Sequence, residues 1–102
     1  MANYLLAYTG GSMPETPEAQ EAAMQAWGEW FGTLRAAVVD MGAPFGASTA
    51  VQADGSTAGT TKGLSGYSVL QADSLELAAK LAGGCPVLGN GGRVEVYEAI
   101  EM

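Results

Sequence analysis

A chain of 102 residues with 48% hydrophobic and 15% charged residues suits one globular domain with one core, and is neither disordered nor long enough for two. Eleven acids against four bases give a net charge of −7, and Arg35, Lys62, Lys80 and Arg93 cannot build the basic surface that nucleic acid or an anionic membrane requires. Histidine is absent, which removes the usual general base near neutral pH and the commonest metal ligand, and the single Cys85 excludes an internal disulfide.

The opening residues, MANYLLAYTGG, lack a basic leader, and their apolar run is far shorter than a signal peptide or a membrane span. One cytoplasmic domain over residues 1–102, with no membrane partner, is therefore expected. Asn3 to Thr9 is short, apolar and aromatic, ends in Gly10-Gly11, and predicts a strand. Tyr4, Leu6 and Tyr8 fall on one face and Leu5, Ala7 and Thr9 on the other, so both faces need cover.

Thr16 to Gly42 predicts one long helix. At about 100° per residue, Ala23, Trp27, Trp30, Leu34, Val38 and Met41 form an apolar stripe opposite Glu18, Gln25, Glu29, Thr33 and Asp40. Thr16 is the expected N-cap with Pro17 at the first helical position, and Gly42 is the expected left-handed stop before Pro44. Phe45 to Ala53 and Ser56 to Thr61 flank Asp54-Gly55, a strong hairpin signal, with the second run thin in large apolar residues. Ser65 to Ala72 predicts a further strand. Asp73 is the expected cap of a second helix, with Glu76 completing a capping-box-like pair, and Gly83-Gly84 ends it. A Cys85-Pro86 corner and a Gly89-Asn90-Gly91-Gly92 loop lead into the last strand, Arg93 to Ile100, where Val94, Val96 and Ile100 share a face opposite Glu95, Tyr97, Ala99 and Glu101.

The order β, long α, β, β, short α, β is the split βαβ, or ferredoxin-like, α+β arrangement: a four-stranded antiparallel sheet with two helices on one face. Its second face has no cover of its own. At roughly 25 cal/mol per Å² of apolar area, covering it favours association, so a homodimer packed sheet against sheet is the expected partner arrangement.

The strings YLLAYTG, MQAWGEWFGTLRAAVVDMGAPFG, GYSVLQADSLELAAKLAGGCPVL and GGRVEVYEAI span most of the chain. Together they resemble the YCII-related family, including its branch named for a DGPF motif. The resemblance implies a ferredoxin-like domain that dimerises into an α/β barrel. Better-known members carry a histidine on the first helix and an aspartate before the corner proline, a pair proposed to be catalytic. This chain departs from that pattern: it has no histidine, Cys85 precedes Pro86, and Asp54-Gly55-Ser56-Thr57 stands where DGPF would.

Gly28 and Gly32, four apart in the long helix, share a flank with Met24 and Arg35. One reading is close approach of a ligand or backbone with Arg35 as anion anchor; the blander one is close packing on a neighbour, or tolerance. Tyr4, Tyr8, Tyr67 and Tyr97, with Trp27 and Trp30, either line an aromatic pocket or fill the core, and core filling is the simpler account. The candidate ligand-binding residues are thus Arg35, Tyr8, Tyr67, Trp27, Gly28 and Gly32.

Cys85 follows a helix C-terminus, whose dipole raises a thiol pKa, and reads as a core thiol. The glycine loop opens no helix and is not a phosphate cradle. Asp40, Asp54 and Asp73 are accounted for by a helix end, a turn and a cap. No catalytic residue, metal site or cofactor is indicated. The expected function is a dimeric small-molecule-binding or accessory domain. The alternatives are a small-molecule-metabolising enzyme of the dimeric α/β-barrel type acting without histidine, and a structural or regulatory dimerisation module.

Overall fold

A computed structural model describes residues 2–10, 15–60 and 63–100; Gly11, Thr61, Lys62 and Glu101, named above, lie outside the described residues. The described elements run β1 (Ala2–Thr9), α1 (Pro17–Leu34), β2 (Val38–Pro44), β3 (Ala50–Val51), β4 (Thr57–Ala58), β5 (Leu64–Ala72), α2 (Leu75–Ala82) and β6 (Arg93–Ala99). Strands β2, β5, β1 and β6 lie side by side in that order in an antiparallel sheet, and β3 and β4 pair separately. This is the ferredoxin-like α+β arrangement, with the small hairpin inserted between β2 and β5.

Register fixes which side chains share a face. Tyr4 lies between Leu70 and Glu98, Leu6 between Ser68 and Val96, and Tyr8 between Gly66 and Val94. Both helices cover this side: Leu6, Tyr8, Trp30, Leu34, Leu70, Ala82, Cys85 and Val87 form the main buried cluster. A smaller one joins Tyr4 to Ala72 and Ala78. Leu5, Ala7, Tyr67, Val69, Glu95 and Tyr97 point to the opposite side by strand alternation.

The start of α1 follows the sequence closely. Thr16 Oγ1 accepts from the Ala19 N–H at 3.1 Å, and Pro17 opens the helix. Its end does not. The helix stops at Leu34, and Arg35 takes φ 52° with its N–H donating to the Phe31 carbonyl. Ala23, Trp27, Trp30 and Leu34 of the expected stripe are helical, but Val38 and Met41 belong to β2. The β-branched pair Val38-Val39 favours a strand, and β5 offers backbone partners that a longer helix would forgo. Val38 still reaches the helix-covered side, opposite Leu70, whereas Met41 is 63% exposed.

Gly42 keeps its expected positive φ, at 79°, in a different setting. It sits in an irregular stretch of β2 where register shifts between Val38 and Asp40 and again between Asp40 and Ala43. A Cβ at Gly42 would overlap the Tyr67 carbonyl, so only glycine fits this bulge.

The strand expected over Phe45 to Ala53 shrinks to Ala50–Val51, because the sheet position it would have filled is taken by β2. The Asp54-Gly55 turn forms as anticipated. The Gly55 N–H donates to the Gln52 carbonyl at 2.9 Å, the Gln52 N–H to the Ser56 carbonyl at 2.7 Å, and Gly55 takes φ 89°. Asp54 Oδ1 accepts from the Ser56 hydroxyl and N–H, which holds its carboxyl below the usual carboxylate range.

Helix α2 is capped by Ser74, not Asp73: Ser74 Oγ accepts from the Leu77 N–H at 3.1 Å. At the other end of the chain, Ile100 falls just past β6 and is 78% exposed, rather than joining Val94 and Val96 in the core.

Candidate binding site

The helical spacing of Trp27, Trp30 and Phe31 lays three rings against the sheet. The Trp27 centroid lies 5.3 Å from Tyr8, 5.7 Å from Trp30 and 5.9 Å from Phe31, and Trp30 lies 5.0 Å from Phe31. Trp30 Nε1–H donates to the Leu81 carbonyl at 3.2 Å, tying α1 to α2. Beneath the rings, the Tyr8 hydroxyl donates to Ser68 Oγ at 2.7 Å, and Ser68 Oγ–H donates to the Met41 carbonyl at 2.7 Å. The Cys85 thiol lies beside the Tyr8 hydroxyl.

Burial pushes the ionisation of both Tyr8 and Cys85 upward. Neither group therefore offers an anion near neutral pH, and a thiol without its thiolate is a poor nucleophile. Among the described residues no buried side-chain nitrogen or oxygen of this core lacks a hydrogen-bond partner.

The six candidate residues do not converge. Tyr8 and Trp27 meet in this core. Gly28 and Gly32 lie exposed on the outside of α1, where an added Cβ would have no neighbour within 4 Å. Arg35 is exposed at the end of α1. Tyr67 stands on the far side of the sheet.

Around Tyr67 the open face carries its own arrangement. The Tyr67 hydroxyl donates to Asp40 Oδ2 at 3.3 Å, while Asp40 Oδ1 accepts from the Gly42 N–H at 2.8 Å. Asp40, expected at a helix end, is thus an edge-strand carboxylate pinned by the β2 bulge. The Phe45 ring stacks on Tyr67, 5.6 Å between centroids and 17° between planes. From Phe45 a groove of about 480 Å³ runs under the hairpin, lined by Ala47, Ser48, Ala50, Thr60 and Leu64, with no charged side chain among its described walls. Farther across the face, Leu5 and Val69 are half-buried, and the 47% exposed Tyr97 donates from its hydroxyl to Glu95 Oε1 at 2.8 Å.

Ser68 and Phe45 are not among the sequence candidates, and Asp40 is assigned there to a helix end. Ser68 left a trace: it interrupts the apolar alternation of Leu70 and Ala72 and is fully buried. Phe45 and Asp40 left none, because their roles depend on β2 being a strand. Among the described residues no group of three His, Cys, Asp or Glu side chains could hold a metal ion, and no helix is long and apolar enough to cross a membrane.

No curated protein matches the chain. The YCII-related domain matches residues 4–102, nearly the whole length. With the ferredoxin-like α+β architecture in place and that match covering both helices and every described strand except the first residues of β1, the chain belongs to the YCII-related domain family.

Proposed function

We propose that this YCII-related protein is a cytoplasmic, homodimeric small-molecule-binding or accessory domain, its two copies meeting through the open face of the sheet. The observation that carries this reading is the asymmetry of the sheet. Both helices pack on one side, and the other carries Leu5, Val69, Tyr67 and Tyr97, with Phe45 stacked on Tyr67 and neither helix above them. A second copy would remove that surface from water, at roughly 25 cal/mol per Å² of apolar area. The ligand position that fits best lies beside Tyr67, Asp40 and Phe45, where a phenol, a carboxylate and an aromatic face adjoin a groove whose described walls carry no charge. Of the six sequence candidates this reading uses only Tyr67.

Native mass spectrometry of freshly purified protein tests both halves. The expected spectrum is a dimer carrying a retained small molecule. Leu5→Glu places a carboxylate in the middle of the face, and a buried unpaired charge costs about 3–5 kcal/mol, so this variant should be monomeric at concentrations where the parent is dimeric. A monomeric parent at micromolar concentration, or a Leu5→Glu dimer as tight as the parent, would refute the assembly.

A further inference from the structure

The open face of the sheet carries charge as well as apolar area, and the two edges are balanced differently. Its described titratable and charged groups are Asp40 on β2, Tyr67 on β5, and Arg93, Glu95 and Tyr97 on β6; β1 adds none. Glu95 has a cation beside it: Arg93 Nη2 lies 3.7 Å from Glu95 Oε2, and the Tyr97 hydroxyl donates to Glu95 Oε1. Asp40, at the opposite edge, has only neutral donors, the Gly42 N–H at 2.8 Å and the Tyr67 hydroxyl at 3.3 Å, and no ion pair among the described residues. A carboxylate offers about four acceptor positions, so the exposed Asp40 leaves the rest to solvent.

Register places this carboxylate within reach of anything that covers the face. Asp40 pairs with Val69, Val69 with Leu5, and Leu5 with Tyr97, so it ends the row that crosses the apolar middle. A partner seated on Leu5, Val69 and Tyr67 therefore covers Asp40 too. A two-fold contact sets the same patch on both sides, so the carboxylate enters twice. The one guanidinium described on each face already accompanies Glu95.

We propose that sheet-to-sheet assembly takes up protons at Asp40, so that the homodimer is strengthened by mild acid and loosened as pH rises. This rests on the homodimer proposed above. Taking water from a carboxylate that has no cation favours its protonated form, which needs less solvation and brings a donor of its own. Joining two chains then binds protons, and association is strongest at low pH and falls away as pH rises. Repulsion between two whole chains of charge −7 has the same sign, so the test must separate position from net charge.

The test is sedimentation equilibrium of the full chain at pH 7.5 and 5.0, alongside Asp40→Asn and Asp54→Asn. Both variants remove one negative charge, the first from the face and the second from the exposed hairpin turn outside the four-stranded sheet. A tenfold preference for the protonated side chain in each copy multiplies to about a hundredfold in the dimer constant. Asp40→Asn should therefore tighten the dimer by about a hundredfold at pH 7.5 and respond less to acid. The parent should be about threefold tighter at pH 5.0 than at 7.5, and Asp54→Asn should follow the parent. A parent dimer indifferent to pH, or an Asp40→Asn dimer no tighter than the Asp54→Asn one, would overturn this inference and leave the homodimer standing. A monomer in every sample would overturn the homodimer, and proton uptake with it.

Discussion

The two faces of the central sheet draw on the same strands and end in opposite conditions. On the helix-covered side Tyr4, Leu6 and Tyr8 of β1 are 3%, 0% and 5% exposed, and the polar chain from Tyr8 through Ser68 ends on a backbone carbonyl. On the other side Leu5 is half-buried, Tyr97 is 47% exposed, and the tyrosine hydroxyls end on the carboxylates Asp40 and Glu95. One network is sealed by α1 and α2; the other is open to a ligand or a second copy. Strand alternation supplies two apolar sets, and helix placement decides which becomes core. Aromatic content alone therefore does not locate a site in this protein: its densest ring cluster packs onto the helix-covered core, with Tyr8 and Trp30 buried.

That contrast can be broken at its strongest point. Trp30→Ala removes the ring joining α1 to α2 and should cost about 3–5 kcal/mol in denaturant unfolding. A cost below about 1 kcal/mol would mean that the helix-covered side is not the sealed one. The outer flank of α1 gives the next largest effect, of opposite sign. Gly28→Ala with Gly32→Ala should raise stability by about 1 kcal/mol each, with the oligomeric state unchanged, because nothing lies near either added methyl. Destabilisation or a changed assembly would make that flank a contact surface.

The smallest effect sharpens the account of the buried network. Tyr8→Phe should cost about 1 kcal/mol near neutral pH, since Ser68 keeps its bond to the Met41 carbonyl. Both Tyr8 and Cys85 ionise above their usual 10.0 and 9.0. As pH rises past those values the unfolded chain releases these protons before the folded one does. Stability that is complete below them is then lost. Urea midpoints followed from neutral pH into the tyrosine range should therefore fall, and fall less steeply in Tyr8→Phe. Parallel curves for parent and variant would show that Tyr8 takes no part in the alkaline loss.

Local chemistry was enough for several features. Thr16 and Pro17 start a helix by side-chain capping and a preset φ, the Asp54-Gly55 turn closes within a few residues, and period-two alternation marks β1. These interactions lie within a few positions of one another and are readable as such. The ferredoxin-like order is legible too, as is the family, although the strand signal at Phe45 to Ala53 lies just beyond the strand that forms, Val38–Pro44.

What only the tertiary structure decided lies between Arg35 and Pro44. There an apolar spacing that continues the helix also serves a strand, and the choice rests on backbone bonds from β5, more than twenty residues away. Once β2 is a strand, Gly42 becomes a bulge rather than a helix stop, Asp40 reaches Tyr67, and Phe45 stacks on that ring. The placement of Glu98 opposite Tyr4 has the same origin, because it exists only when β6 returns beside β1. The sequence by itself determined the element types and the turns, through contacts a few residues long. The tertiary structure decided which face is sealed and where Asp40 and Phe45 meet Tyr67, because pairing across the sheet sets positions that no local interaction specifies.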